Sequence, residues 1–176
     1  MDVPDEELWT RVLSDDPGAL AELFDRHQWR AFDHARRLLG AREDAKDAVS
    51  IAFFELWRKR GKVRLVDGSP LPWLLNTVAY AARNLERSSR RYRALAHRAQ
   101  PPKPAPEVVA ADESGVLAAL KQLPDREQGV IVLTVLEGYP ERAAAQALGI
   151  PVGTVKSRLA RAKERLRDQL ELMEES

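Results

Sequence analysis

The segment Leu148–Leu170, LGIPVGTVKSRLARAKERLRDQL, decides the fold that we expect for this chain. Apolar side chains recur in it at steps of three and four residues, which is the spacing of a helix with one buried face. These side chains are Val155, Leu159, Ala162, Leu166 and Leu170. Basic residues fill most positions between them. Gly149 and Pro151 stand before the helix, where Gly favours the end of one helix and Pro the first turn of the next.

A second, shorter helix is predicted immediately upstream, over Glu141–Leu148, with small residues on its inner face. Two helices joined by a short turn that contains Gly have the proportions of a helix-turn-helix. In that motif the second helix enters the DNA major groove near its amino terminus, where hydroxyls suit phosphates and Arg can pair with guanine. The groove-facing set would be Thr154, Lys156, Ser157, Arg158 and Arg161. A solvated basic helix in a small bundle is the alternative that this local pattern leaves open.

The length of 176 residues allows one medium domain or two small ones. The formal net charge of +1 conceals an uneven distribution. Acidic residues outnumber basic residues over positions 1–57, whereas positions 83–98 are rich in Arg. This asymmetry indicates different partners for different parts of the chain.

Several functional classes are excluded by what the sequence lacks. The absence of Cys rules out disulfides and Cys-ligated zinc, and three scattered His residues do not suggest a metal. We find no nucleophile–base spacing and no phosphate-binding Gly loop, so neither an enzyme nor a cofactor is expected. The acidic start is unlike a secretory signal, and the longest apolar run is too short to cross a membrane. We therefore expect a cytoplasmic protein without membrane insertion.

Helical spacing is predicted along the front half of the chain. A short acidic helix over Pro4–Leu13 is followed by a helix that begins at Asp16-Pro17, a cap followed by Pro at the first position. A third helix is predicted over Arg42–Arg60, with Asp44, Asp47 and Ser50 beside its apolar stripe. Ser69-Pro70 repeats the cap-then-Pro signal and opens a further helix.

That further helix begins apolar and ends strongly basic, with aromatic residues among the polar ones. Aromatic faces stack on unpaired bases, and Arg binds phosphates or stacks in turn. The interleaved residues are Trp73, Asn76, Tyr80, Arg83, Asn84, Arg87, Arg90, Arg91 and Tyr92. Alternatively, Trp73 belongs to the core and the Arg cluster is only a solvated face.

A Pro-rich segment, Gln100–Pro106 (QPPKPAP), is predicted to be an extended spacer between two domains. We place a first domain at 1–97, a linker at 98–112 and a second domain at 113–176. Within the second domain, helices are predicted over Val116–Leu123 and Arg126–Glu137, ahead of the helix-turn-helix. No strand pattern and no fixed-period repeat is found. The predicted fold is all-α, with two small helical domains.

On these residues the chain resembles the extracytoplasmic-function (ECF) sigma factors, the smallest members of the sigma-70 family of bacterial RNA polymerase. The most specific part is LPDREQGVIVLTVLEGY together with Leu148–Leu170, which is similar to the family's pattern for the domain that reads the minus-thirty-five promoter element. EDAKDAV, the FxxLW of Phe53–Trp57 and PWLLNTVAYAARNLERSSRR match the domain that binds core polymerase and opens the minus-ten element.

The resemblance implies a sigma factor that binds core polymerase, at the clamp helices of the largest subunit and at the flap region, and directs initiation at promoter DNA. Core-binding residues would be Asp44, Asp47, Ser50, Phe54 and Trp57, with Phe53 in the core and Trp57 partly so. Minus-ten residues would be Trp73, Asn76, Tyr80, Arg83, Asn84, Arg87, Arg90 and Arg91. Minus-thirty-five residues would be Arg142, Thr154, Lys156, Ser157, Arg158 and Arg161. Many relatives are held inactive by an anti-sigma factor, which the resemblance admits as a further partner.

Three positions depart from the family pattern. Ser50 replaces a usual Gln, Tyr80 replaces a common Asn, and Ala143 replaces an acid in the first helix of the helix-turn-helix. Two other functions remain as alternatives at this level. One is a stand-alone helix-turn-helix regulator, and the other is a polymerase-binding adaptor that does not read promoters.

Overall fold

The computed structural model describes residues 3–99 and 115–174, and that part of the chain is helical throughout apart from turns. Its only β feature is an isolated bridge between Val66 and Ser69. The all-α prediction is therefore confirmed. The helices are α1 (Asp5–Leu13), α2 (Pro17–Leu38), α3 (Arg42–Arg58), α4 (Leu71–Ala99), α5 (Gly115–Gln122), α6 (Asp125–Ile131), α7 (Glu141–Leu148) and α8 (Val152–Glu174).

Both predicted cap-then-Pro starts are present. The Asp16 carboxylate accepts hydrogen bonds from the backbone N–H groups of Gly18 at 2.8 Å and Ala19 at 3.4 Å, and Pro17 opens α2. The Ser69 hydroxyl accepts a hydrogen bond from the backbone N–H of Leu71 at 3.2 Å. Each side chain satisfies amide groups that have no partner inside the first turn of a helix.

The helices α1–α4 pack around a core of large aliphatic side chains. Leu23, Leu56 and Leu74 are fully buried, and burial of each such side chain contributes roughly 1.5–3 kcal/mol. Phe53 is also buried, and its ring meets the edge of Phe24 with 4.8 Å between centroids. This core holds α4 against α2 and α3 and fixes which side of α4 faces outward.

The helices α5–α8 pack around the predicted stripe of α8. Val155, Leu159 and Ala162 are buried, while Leu166 and Leu170 are half-buried. Gly149 ends α7 in the left-handed region, with φ of 65°, and the backbone N–H of Ile150 bonds to the Ala145 carbonyl at 3.1 Å. Such an ending favours Gly, because a side chain is strained at this φ. The predicted helix–turn–helix is thus formed by α7 and α8.

Two predicted helix boundaries are wrong. The third helix ends at Arg58, and the chain continues as a 3-10 turn over Arg60–Lys62. There the guanidinium of Arg60 lies 4.5 Å from the Trp57 ring centroid and donates to the Trp57 carbonyl at 2.8 Å. The helix predicted to run from Arg126 to Glu137 begins at Asp125 and becomes a π-helix over Val132–Leu136.

The two helical sets are packed against each other. Helix α4 contacts α6, α7 and the π-helical segment, and one continuous cluster of buried apolar side chains extends across both sets. The Pro-rich segment predicted to be a spacer lies outside the described residues, so the division at 98–112 stays a prediction. What the structure adds is that α1–α4 and α5–α8 meet over a common surface.

Removal of the α2 cap is expected to reduce stability. Asp16→Ala should lower the free energy of unfolding by about 1 kcal/mol, because two amides of the first turn lose their acceptor. Asp16→Asn is the matched control, since Asn retains a capping oxygen but loses the exposed ion pair with Arg11 at 2.9 Å. Urea denaturation of the three proteins measures the difference. An equal loss in both variants would show that the ion pair matters and the cap does not.

Candidate nucleic-acid interface

Helix α4 runs without interruption over 29 residues. At 100° per residue, the eight residues predicted to contact the minus-ten element fall within about 120° of its circumference. The structure therefore brings together on one face Trp73, Asn76, Tyr80, Arg83, Asn84, Arg87, Arg90 and Arg91. The opposite side of the same helix enters the core through Leu74, Leu75 and Val78.

Part of this face, at Asn76 and Arg83, is contacted by α6. Arg83 is buried; its guanidinium forms an ion pair with Asp125, with 2.5 Å between Nη1 and Oδ1, and donates a hydrogen bond to Gln128 Oε1 at 2.9 Å. Burial lowers the pKa of the Arg83 guanidinium, although the nearby Asp125 carboxylate acts in the opposite direction. Asn76 faces Gly129 so closely that a Cβ on Gly129 would lie 2.8 Å from its Oδ1. Arg83 is therefore not open to DNA in this arrangement, and Asn76 is half-buried.

The rest of the α4 face is open. Tyr80 is 51% exposed, and Asn84, Arg87 and Arg91 are also exposed. Arg90 is exposed and pairs with Glu86 of its own helix at 2.9 Å. Trp73 is half-buried and contributes both to the core and to the face.

A cavity of about 770 Å³ lies where α3 and α4 face the second helical set. Its lining brings Tyr80 and Asn84 of α4 close to Arg58 and Lys59 of α3 and to Arg158 of α8. An aromatic ring, an amide and several cations are the groups that hold an unstacked base and its phosphates.

The minus-thirty-five candidates on α8 divide into two groups. Thr154, Ser157, Arg158 and Arg161 share one side of the helix and line a cleft of about 380 Å³ with Arg126 of α6. Lys156 lies about 200° from Arg158 around the helix axis, and it is exposed on the other flank. Four of the five residues predicted to face the groove thus share one side of α8, with Lys156 apart from them, and their contact with DNA stays a prediction. Arg142 is exposed on α7.

The candidates for core binding lie on α3. Phe54 is 64% exposed, which is unusual for a large aromatic ring, and Asp47 and Ser50 are exposed beside it. Asp44 and Trp57 are half-buried. The expectation that Phe53 is buried and that Trp57 is partly so is confirmed.

An aromatic surface on α2 was missed by sequence reasoning. Trp29 is 67% exposed, and its ring meets Phe32 edge-on with 6.4 Å between centroids. The Arg42 guanidinium lies 5.7 Å from the Phe32 centroid, and a groove of about 310 Å³ runs from these rings to Ser50 of α3. The available signal was that Trp29 falls outside the apolar stripe of its own helix.

Within residues 3–99 and 115–174 no group of His, Asp and Glu side chains is arranged to hold a metal ion. None of the described helices has the length and apolar character needed to cross a membrane.

Two protein-family models match the chain. Sigma-70 region 2 matches residues 23–92, and Sigma-70, region 4 matches residues 115–166. The ECF RNA polymerase sigma factor SigM of Mycobacterium tuberculosis is 33% identical over 167 residues, which cover 92% of this chain and 82% of that protein. The chain belongs to the ECF sigma factors of the sigma-70 family. As such it directs promoter-specific transcription initiation.

Other relatives agree with this membership. The RNA polymerase sigma factor CarQ of Myxococcus xanthus is 31% identical over 159 residues, covering 86% of this chain and 89% of that protein. The solved structure of CnrH, in complex with the cytosolic domain of CnrY, superposes with a TM-score of 0.57 at 26% identity. It covers 96% of this chain and 97% of CnrH.

The two matches fall on different helices of this ECF sigma factor. The region 2 match contains α3, most of α4 and the residues on both of their candidate surfaces. The region 4 match contains α5–α7 and the part of α8 that carries its DNA-binding candidates. Sigma factors are initiation factors rather than a family of enzymes. Below, region 2 means α1–α4 and region 4 means α5–α8.

Proposed function

We propose that this ECF sigma factor binds core RNA polymerase mainly through α3 and reads its promoter with two separate surfaces. The α4 face reads the minus-ten element as partly melted strand, and the amino-terminal part of α8 reads the minus-thirty-five element as duplex. The observation that carries the proposal is the single face of α4, where eight aromatic, amide and basic side chains lie together on a helix anchored in the core. Packing of the core does not by itself require aromatic, amide and basic side chains on the side of α4 that faces away from the core.

The minus-ten role follows from the composition of the open part of that face. Tyr80 offers a ring for stacking, Asn84 offers hydrogen bonds to a base edge, and Arg87 offers charge to the phosphate backbone. Extrusion of a base costs a few kcal/mol, which stacking on an aromatic ring offsets. Tyr80 therefore takes the central role in the proposal.

The minus-thirty-five role belongs to the four residues that share one side of α8. The Ser157 hydroxyl donates a hydrogen bond to the Thr154 carbonyl at 3.1 Å. Its oxygen can still accept a hydrogen bond from another group. Arg158 and Arg161 supply guanidinium groups that match guanine or phosphate. Lys156 and Arg142, which lie apart from the four, suit backbone phosphates and would position the helix rather than read bases.

The polymerase-binding role rests on Phe54. An exposed aromatic ring beside Asp47 is a suitable anchor for a basic coiled coil, because aromatic residues dominate binding energy and acids add charge complementarity. The groove that contains Trp29 and Phe32 extends this surface onto α2. We further propose that the chain acts in the cytoplasm, by binding alone, without a metal or cofactor. CnrH is bound by the cytosolic domain of CnrY, and this supports a protein partner of the anti-sigma type for the present chain.

The direct test is transcription in vitro on fragmented genomic DNA, with purified chain and bacterial core polymerase. We expect RNA 5′ ends that appear only when the chain is added and that share two upstream sequence elements. Retained binding to core without new starts would instead indicate an adaptor. No starts and no binding to core would leave a stand-alone DNA-binding regulator.

Loss of Arg158 is expected to weaken binding to the minus-thirty-five element. Arg158→Ala should cost about 1–3 kcal/mol on a cognate promoter at fixed salt if the guanidinium contacts a base. Arg167→Ala removes the same charge nearer the carboxyl end of α8 and serves as the control. Holoenzyme binding to promoter duplexes, measured by fluorescence anisotropy, provides the comparison. Equal small losses in both variants would exclude base contact by Arg158.

Loss of Tyr80 is expected to impair recognition of melted minus-ten DNA. Tyr80→Ala in holoenzyme should cost about 1–3 kcal/mol on a fork template with an unpaired non-template strand, because one stacking platform is lost. Tyr92→Ala is the matched control, since Tyr92 is exposed on the same helix but about 120° away from Tyr80. A Tyr80 variant that binds the fork template as well as the Tyr92 variant would contradict the assignment.

A further inference from the structure

Glu137 is a charged residue of region 4 whose side chain is completely enclosed. It directly follows the π-helical segment, and none of its side-chain surface is exposed. A buried carboxylate is costly unless cations and hydrogen bonds compensate it. The groups that compensate this one all come from region 2.

Three basic side chains on successive turns of α2 surround the Glu137 carboxylate. His34 donates from Nδ1 to Oε1 at 2.6 Å across 103 positions of sequence, and Arg37 donates to the same oxygen at 2.6 Å. Arg30 donates to Oε2. Burial acts to raise the pKa of Glu137, but His34, Arg37 and Arg30 together hold it below its ordinary value. The enclosed carboxylate is thus held in its charged form, and it is paired with these three side chains only while regions 2 and 4 are in contact.

A second contact lies on α4, where region 4 occupies part of the minus-ten face. Asp125 and Gln128 bind the buried guanidinium of Arg83, and Gly129 is packed against Asn76. Asp125 places a carboxylate oxygen where a DNA phosphate would otherwise meet Arg83. No residue other than Gly fits at position 129 without movement of the Asn76 side chain.

We propose that Glu137 and the Arg30–His34–Arg37 cluster form a latch that keeps the free sigma factor closed, with region 4 masking the minus-ten face of region 2. This proposal rests on the assignment of that face to DNA in the proposed function. The latch holds the two regions together at α2, and Asp125 then occupies Arg83 in place of a phosphate. Promoter strand reaches Asn76 and Arg83 only after the regions separate.

The conformational test uses the whole chain and the absence of Cys from its sequence. Ala21→Cys on α2 and Ala160→Cys on α8, both at exposed positions, accept one pair of spin labels without competing sites. We expect one narrow distance distribution for the otherwise unaltered chain. Glu137→Gln should reduce the closed population by about tenfold or more, because Arg30 and Arg37 lose the buried anion with which they pair and His34 loses a charged acceptor. An unchanged distribution would overturn the latch.

Two matched controls and a second opening variant accompany this measurement. Glu164→Gln removes the same charge from an exposed position of α8 and should leave the distribution narrow. Gly129→Ala crowds Asn76 Oδ1 without any change in charge and should open the regions less than Glu137→Gln does, because the Asn76 side chain can turn away from the added methyl group, whereas an added Cβ at Gly153 meets nothing within 4 Å. Gly153→Ala should therefore stay closed. Far-UV circular dichroism establishes that each variant retains its helices.

Masking is tested separately by the affinity of the free chain for a fluorescent single-stranded DNA of mixed sequence. Apparent affinity should rise in proportion to the open fraction in Glu137→Gln and Gly129→Ala. Open variants that bind no better would overturn masking. The outcomes also separate this inference from the proposed function. Normal transcription without any opening would refute the latch alone, whereas clear opening without any transcription would refute the sigma-factor assignment of the surfaces.

Discussion

The structure depends on the division of α4 into an apolar side and a polar side. Leu74, Leu75 and Val78 are buried against the other helices of region 2, and this burial fixes the rotation of the helix about its own axis. The residues at intervening positions must then face outward, whatever their chemistry. Because those positions carry Tyr80, Asn84 and Arg87, the core packing of α4 and the chemistry of its outward face are two consequences of one amphipathic pattern.

The outward side of α4 has a second use in the closed form. Helix α6 packs against this side at Asn76 and Arg83. The pairing of Arg83 with Asp125 gives a buried guanidinium the anion that it requires. A face rich in Arg is suited to DNA for the same reason that it is suited to an acidic protein surface. Competition between region 4 and DNA therefore follows from the charge of α4 itself.

The interface between the regions combines two kinds of contact. Gly129 allows close approach of the α6 backbone to Asn76, and Glu137 requires the α2 cations to remain nearby. Lys121 of α5 also pairs with Glu86 of α4 at 3.1 Å, and Gln146 of α7 donates to the Leu65 carbonyl at 2.6 Å. These polar contacts accompany the continuous cluster of buried apolar side chains that extends across both regions.

Most of the fold could be predicted from the sequence. Helical periodicity, the caps at Asp16 and Ser69 and the Gly149 turn are local features, governed by residues close together in the chain, and they determined the all-α class and the α7–α8 motif. The chemistry of the α4 face could be predicted for the same reason. The π-helical end of the α6 segment was not predictable, because the spacing of apolar residues does not distinguish it from an α-helix.

What only the tertiary structure decided is which of these residues are available. Arg83 and Arg87 are the same residue type one turn apart, yet one is buried against Asp125 and the other is exposed. Glu137 reads in sequence as an ordinary charge before a glycine, but it is enclosed by three basic side chains about 100 positions away. Such contacts depend on how two separately predictable helical sets pack together. Local periodicity contains no information about that packing, because it records only which side of each helix is apolar.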